Sequence, residues 1–181
     1  MKKSPERGFT LVEMIVSVGL FAVVMTIASG AYLSLINIER KARALSDLMT
    51  NLSFATESMA RAIRTGTNYS CNGGGDCASG TGTTFTFVND QGVTTTYLTT
   101  TANTVGQCDF SGCNSSTATT LTDPRIKNFA LSFTLRGSSP SDTIQPYVIF
   151  TVSGTITPDA NTTPIPFNIQ TSASQRILDL P

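Results

Sequence analysis

The amino-acid sequence predicts an α+β protein in which one long N-terminal α-helix packs on an antiparallel β-sheet head. Three observations predict this arrangement: a long uncharged run near the N-terminus, a helical repeat of apolar residues directly after it, and a C-terminal part built from short β-branched and aromatic segments. The chain has 181 residues, 40% of them hydrophobic, and its 12 basic and 12 acidic residues cancel, which is typical of an ordered protein.

The uncharged run comprises residues 14–38, and 18 of these 25 residues are apolar. As a helix it would be roughly 37 Å long, which exceeds the ~30 Å hydrocarbon core of a bilayer. The apolar core of a secretory signal peptide is only about 7–15 residues long, so this run is too long for one. We therefore predict a transmembrane helix. The alternative, a core helix of a soluble domain, seldom remains uncharged over such a length.

The second half of the helix is amphipathic. Apolar residues recur at steps of three and four, and polar or charged residues occupy the other faces. The apolar positions are Leu45, Leu48, Leu52, Ala55, Met59 and Ala62, and the polar ones are Arg43, Asp47, Asn51, Glu57, Arg61 and Arg64. We expect the helix to run from residue 9 to residue 65 and to end at Gly66.

The remaining part of the chain has the alternation and composition of β-strands. We expect strands at 83–88 and 93–98, joined by the turn NDQG, and at 127–136, 146–156 and 164–172. Clusters of Gly, Ser, Pro and Asn at 70–82, 111–124 and 137–143 predict exposed loops. One antiparallel sheet follows, and the apolar face of the amphipathic helix would cover one side of it.

All four cysteines, Cys71, Cys77, Cys108 and Cys113, lie after the apolar run. Their spacings lack the C-x2-C pair typical of structural zinc, so disulfides are favoured over a metal site or reduced thiols. Pairing of neighbours in the sequence is favoured, and crossed pairing stays open. Lysines and arginines flank the run on both sides and leave its orientation undecided. Disulfides indicate an oxidising compartment, which places the head outside and the basic N-terminus in the cytoplasm.

The sequence contains none of the common catalytic or cofactor patterns. It has no histidine, which excludes a Ser/His/Asp triad and mixed Cys/His metal sites, and it has no phosphate-binding P-loop. We therefore expect no enzyme activity, no metal and no cofactor. Residues 66–181 hold four basic against seven acidic residues, which argues against nucleic acid as a partner.

One short segment carries a family resemblance. RGFTLVEM, residues 7–14, follows a short basic leader and precedes the apolar run, with a glutamate five residues after the glycine. It resembles the N-terminal processing and methylation signature of type IV pilins and pseudopilins. Beyond this segment the chain is similar to that family in architecture alone, because a long helix is followed by a β-rich head in a pilin-like order.

The resemblance implies specific roles at the N-terminus. Prepilin peptidase would cut after Gly8 on the cytoplasmic side and methylate the new N-terminus, Phe9, while Lys2, Lys3 and Arg7 hold the junction in the cytoplasm. The implied domains are a leader (1–8), a transmembrane or filament-core helix (9–38), its amphipathic half (39–65) and a disulfide-containing head (66–181). The protein would be a single-pass inner-membrane protein before assembly into a filament at the cell surface or in the periplasm.

Glu13 is the unusual residue of the segment, because an unpaired carboxylate at the centre of a bilayer costs several kcal/mol. The resemblance implies that Glu13 pairs with the Phe9 amine of a neighbouring subunit during assembly. The alternative is an anchor at the membrane interface.

The implied function is structural: a subunit, more specifically a minor initiating or capping subunit, of a type IV pilus or a type II secretion pseudopilus. Its implied partners are other pilin subunits, the membrane assembly platform and the bilayer. The alternative function is a binding module at the pilus tip, either an adhesin or a DNA-uptake subunit.

Overall fold

The computed structural model describes residues 8–139, 142–157 and 164–177. Within these residues one α-helix is followed by β-strands. The elements are α1 (Leu11–Thr65), β1 (Thr67–Cys71), β2 (Cys77–Gly82), β3 (Thr84–Val88), β4 (Thr94–Thr99), β5 (Val105–Cys108), β6 (Thr119–Thr120), β7 (Ile126–Arg136), β8 (Tyr147–Ile156) and β9 (Ile165–Ser174). The predicted α+β fold, a long N-terminal helix and antiparallel β structure, is confirmed.

The chain divides into two compact units, and the division falls between Arg43 and Ala44. The first unit contains the apolar part of α1. The second unit, which we call the head, contains the end of α1 and all the described strands. The four domain limits inferred from the sequence stay a prediction.

α1 begins at Leu11, two residues later than predicted. Thr10 explains the start, because its Oγ1 accepts a hydrogen bond from the Glu13 amide at 3.3 Å and its carbonyl accepts one from the Met14 amide at 3.2 Å. A threonine that binds the amide three residues later is a typical N-cap. Phe9 therefore lies outside the helix.

The end of α1 covers the head with one face, as its amphipathic pattern predicts. The buried positions are Leu48, Leu52, Ala55, Thr56, Met59, Ala60 and Ile63. Leu45 and Ala62, which we expected in the core, are only partly buried, and Thr56, Ala60 and Ile63 were not expected there. Thr56 is buried, and its hydroxyl group is hydrogen-bonded, because Oγ1 donates to the carbonyls of Leu52 and Ser53.

α1 ends at Thr65, and Gly66 follows as predicted. The Gly66 amide donates to the Ile63 carbonyl at 3.0 Å. A Cβ at position 66 would lie 2.3 Å from Cδ2 of Phe87, a separation that no side chain tolerates. Glycine is therefore required here by the close approach of an aromatic ring from β3.

The antiparallel β structure of the head is divided into two sheets, and the sequence did not predict this division. The strand orders are β1-β3-β4-β5-β6 and β2-β7-β8-β9. The sequence pattern identified the strongest members of both sheets, β3 and β4 in the first and β7, β8 and β9 in the second. It missed the short strands that extend each sheet.

An aromatic cluster lies in the core of the head. Ring centroids are 5.4 Å apart for Tyr69 and Phe85, 5.4 Å for Phe85 and Phe133, and 6.4 Å for Phe133 and Phe150. Phe85 belongs to the first sheet and Phe133 to the second, so the cluster joins the two sheets. Such pairs add about 0.5–1.5 kcal/mol each beyond the area that they bury.

Two predicted loops contain strands. The segment 70–82 includes the end of β1 and all of β2, and the segment 111–124 includes β6. β2 has the sequence CASGTG, which is poor in β-branched and aromatic residues, so composition gives no strand signal. It is held in place by pairing with β7 and by a disulfide to Cys71. β9 also extends two residues beyond the predicted end at 172.

Candidate functional site

The predicted processing site lies in non-helical, exposed chain. Gly8 and Phe9 precede the N-cap Thr10, and the Phe9 side chain is 77% exposed. A Cβ built on Gly8 would have no atom within 4 Å. A peptidase must bind its substrate in an extended form, so a junction outside the helix is suited to cleavage. The leader residues 1–7, with Lys2, Lys3 and Arg7, lie outside the described residues.

Glu13 occupies the first turn of α1, three residues after the N-cap. Together with Thr10 it has the Thr-x-x-Glu spacing of a capping box. The positive end of the helix dipole favours a carboxylate at this position. Glu13 and Phe9 are both exposed, so both residues are accessible to another molecule.

The apolar part of α1 has no cover within its own unit. Leu20, Phe21, Ile27 and Leu33 are all at least 59% exposed. The helix is the only candidate membrane span among the described residues, with a mean hydropathy of 2.4 in its most apolar window. Length and composition fit a span, and a surface this apolar must be buried against lipid or other protein.

Three hydroxyl groups in this apolar surface are satisfied within the helix. Ser17 donates to the Met14 carbonyl, Thr26 to the Ala22 carbonyl at 2.8 Å, and Ser29 to the Met25 carbonyl at 2.8 Å. In a bilayer a hydroxyl without a partner is costly, and this back-bonding removes the cost. These three residues are therefore compatible with burial in lipid.

A comparison with known families decides the nature of this N-terminus. The family described as "Prokaryotic N-terminal methylation motif" matches residues 3–29. The chain carries the N-terminal signature of type IV pilins and pseudopilins. This signature implies processing by prepilin peptidase and assembly with other pilins. No curated protein and no solved structure matches the chain.

The pilin signature ends before the head, where the structure adds a surface that sequence reasoning missed. Phe54 lies on α1 and is 74% exposed, on the opposite side of the helix from the core residues. Glu57, Ser58 and Arg61 lie around it and line a shallow cavity of about 240 Å³ with it. Phe54 is out of phase with the apolar repeat of α1, and this mismatch is the sequence signal that could have revealed the exposed surface.

The cysteines form two bonds, Cys71–Cys77 and Cys108–Cys113, so each is joined to its neighbour in the sequence. The Cα atoms are 5.9 Å apart in both. Cys71 and Cys77 belong to the hydrophobic core, whereas the second bond closes the loop that carries Phe110, which is 48% exposed. The prediction of disulfides in the head is confirmed.

Two carboxylates organise loops of the head. Asp76 accepts hydrogen bonds from the amides of Gly137 and Ser138 at 3.1 and 2.9 Å. Partial burial raises the pKa of Asp76, but these hydrogen bonds outweigh it, and the net pKa is lowered. Asp123 forms an ion pair with Arg125 at 2.7 Å, and the hydrogen bond from that guanidinium is the main cause of its lowered pKa.

Neither carboxylate is arranged for catalysis. Both are tied to backbone amides or to a guanidinium on the surface of the head. No group of three His, Cys, Asp or Glu side chains with metal-binding geometry occurs among the residues described.

Proposed function

We propose that the protein is a minor structural subunit of a type IV pilus or a pilus-like secretion filament. In this role it is anchored by α1 in the inner membrane with the head outside, and it acts with other pilin subunits and the membrane assembly platform. The supporting observation is the combination of the methylation motif with an exposed Gly8–Phe9 junction and an uncovered apolar helix. A chain of this design has a stable head and a helix that requires external partners.

The assembly step depends on Glu13 in this proposal. Cleavage after Gly8 creates a positive amine on Phe9, and the Glu13 carboxylate of a neighbouring subunit is its natural counter-charge. Opposite charges attract strongly where water is excluded, whereas an unpaired buried carboxylate is penalised. Pairing would therefore fix the axial position of one subunit against the next.

The N-terminus tests the processing half of this proposal. Mass spectrometry of the protein from membranes of a host that contains the peptidase should show a mature chain that begins at N-methylated Phe9. A chain that keeps Met1 in such a host would refute processing. A Gly8→Ala substitution serves as the control, because it changes the residue before the predicted cleavage site, should reduce cleavage there and leaves the head unchanged.

Substitutions at Glu13 test the assembly half. Glu13→Val and Glu13→Gln should insert into the membrane normally but crosslink less to partner subunits, because both remove the charge and Gln keeps the shape. Glu13→Asp keeps the charge and should restore part of the crosslinking. If the Gln variant is incorporated like the wild type, Glu13 is an interfacial anchor and does not drive assembly.

A second candidate function is a binding module at the filament tip, and one observation favours it. The loop closed by Cys108–Cys113 carries Phe110 beside a cavity of about 340 Å³ that is also lined by Gln107 and Asp109. An exposed aromatic ring beside amide and carboxylate groups suits a polar organic ligand. A Phe110→Ala variant that assembles normally but loses cell adherence would support this function over a purely structural one.

A further inference from the structure

The two sheets of the head have four edge strands among the described residues, and three of them are irregular or short. The pairing of β1 is shifted between Thr67 and Ser70, where Asn68 has a φ of +55°. The pairing of β2 is shifted between Cys77 and Gly82. β6 has two residues. Bulges and short length are the usual means by which proteins prevent edge strands from pairing with other chains.

The fourth edge strand, β9, is long and regular. It pairs with β8 over its ten residues without a register shift, from Ile156 opposite Ile165 to Tyr147 opposite Ser174. β9 contains no charged residue. Pro166 near its start is its one protective residue, since a proline has no amide to donate.

The direction of the backbone groups of β9 follows from one hydrogen bond. The Gln175 amide donates to the Pro146 carbonyl at 2.9 Å, and this pair continues the register of β8 and β9. Opposed residues of an antiparallel pair alternate between hydrogen-bonded and non-hydrogen-bonded positions. Odd-numbered residues of β9 therefore bond to β8, and even-numbered residues direct their amides and carbonyls to the free edge.

This free edge is accessible along its length. The even-numbered residues are Pro166, Asn168, Gln170, Ser172 and Ser174, and all of them are exposed. Apart from the pairing with β8, no other part of the described chain hydrogen bonds to their backbone groups. The amides of Asn168 to Ser174 are thus a preformed template for another strand.

We propose that two copies of this protein pair through their β9 strands, antiparallel and two-fold symmetric about Gln170. The occupant of the edge is a second copy because β9 is complementary to itself. Centring the pair on Gln170 overlaps residues 166–174 of both copies and places Gln170 opposite Gln170, Ser172 opposite Asn168, and Ser174 opposite Pro166. The outward amides of each copy then face the outward carbonyls of the other, and no like charges lie opposite each other.

In this dimer the four-stranded sheet of one copy continues into the four-stranded sheet of the other. The contact uses the same edge on both copies, so it closes at two copies and does not propagate. It is therefore distinct from the head-to-tail packing of a filament and does not depend on the proposed function.

A cysteine at the symmetry point tests the pairing. In a hydrogen-bonded antiparallel pair the Cα atoms are about 5.5 Å apart, within the range that a disulfide bridges. Full-length Gln170→Cys protein in detergent should form a disulfide dimer on mild oxidation. Gln91→Cys is the matched control, because Gln91 is exposed in the turn between β3 and β4 of the other sheet. Equal dimer yields from the two variants, or no dimer from Gln170→Cys, would overturn the proposal.

A charge exchange tests the same contact without added thiols. Gln170→Lys places two like charges opposite each other and should weaken dimerisation by at least about tenfold, measured by sedimentation of the full-length chain in detergent. Gln170→Glu should do the same, and a mixture of the two variants should recover dimers. Unchanged circular dichroism establishes that the fold is intact. Wild-type dimerisation by either variant alone would refute pairing through β9.

Discussion

The two parts of α1 are made of similar apolar residues, yet they differ in what covers them. Met25 in the first unit is 49% exposed, and Met59 in the head is 0% exposed. Met59 packs among core residues from both sheets. An apolar helix surface must be buried somewhere, and this chain provides its own cover for only one part.

Hydroxyls bond back to the helix in both parts of α1, but in the head a polar side chain also bonds to another segment. Ser17, Thr26 and Ser29 bond back in the apolar part, as Thr56 does in the head. In the head, Asn51 is half-buried and its Oδ1 accepts a hydrogen bond from the Asp123 amide at 3.0 Å, which ties α1 to the segment before β7. Polar groups that are hydrogen-bonded within the helix suit a helix whose surroundings change. Hydrogen bonds to other segments suit a helix with fixed neighbours.

Replacing a methionine with alanine in each part of α1 should give the largest difference between the two parts. Met59→Ala should lower the free energy of unfolding of the head by about 2–5 kcal/mol, because it leaves a cavity in the core. Met25→Ala should leave that free energy unchanged. Denaturant titration followed by near-ultraviolet circular dichroism of the buried tyrosines measures both. A similar loss for the two variants would mean that the apolar part contributes to the stability of the head.

Removal of the disulfides affects the head alone and is the next largest effect. Replacing Cys71 and Cys77 with alanine should cost about 2 kcal/mol by the loop-entropy estimate for so short a loop. Replacing Cys108 and Cys113 should cost less, because that bond lies outside the aromatic core. Membrane insertion should be unaffected by either change. The order of the two unfolding midpoints checks this prediction, and a reversed order would contradict it.

The effect of pH on the stability of the head should be smaller than the effect of removing a disulfide. The pKa of Asp76 is lowered in the folded state, so its stabilising effect is fully present above the ordinary value of 3.8 and is lost as the pH falls below it. Asp76→Asn should therefore destabilise the head at pH 7 and make no difference near pH 2. The effect is small because solvent screens an exposed carboxylate. Thermal unfolding at both pH values measures it, and a difference that persists at pH 2 would assign the loss to packing.

The smallest effect on stability is expected at Phe54. Phe54→Ala should change the free energy of unfolding by less than about 0.5 kcal/mol, because the ring is exposed. It should reduce crosslinking to partner subunits if this face of α1 is an assembly surface. Phe87→Ala is the matched control and should destabilise the head by about 3–5 kcal/mol. Normal assembly of the Phe54 variant would show that the exposed ring has no such role.

Much of the fold follows from local pattern. The helical repeat identified Leu48, Leu52, Ala55 and Met59 as core residues, and alternation located β3, β4, β7, β8 and β9. The N-terminal motif is equally local, since Gly8, Phe9 and Glu13 lie within a few residues of one another. Their roles in cleavage, methylation and assembly stay predictions.

The rest depends on distant contacts. β2 is a strand because of β7 and a disulfide, and no periodicity in CASGTG reveals that. The division into two sheets depends on which strands pair, and a single sequence does not specify this. Thr10, and not Phe9, sets the helix start, because a cap depends on which side chain binds the free amides.

The last ordered turn of α1 has a consequence for the order of synthesis. The carbonyl of Arg64 accepts a hydrogen bond from the amide of Arg176 at 2.9 Å, so the last turn of α1 is completed by a residue that follows β9. The Gln145 side chain holds the same tail through the carbonyls of Gln175 and Ile177. The head therefore reaches its final hydrogen bonding only after Arg176 has left the ribosome. A nascent chain released before Arg176 would carry α1 into the membrane with this carbonyl still open.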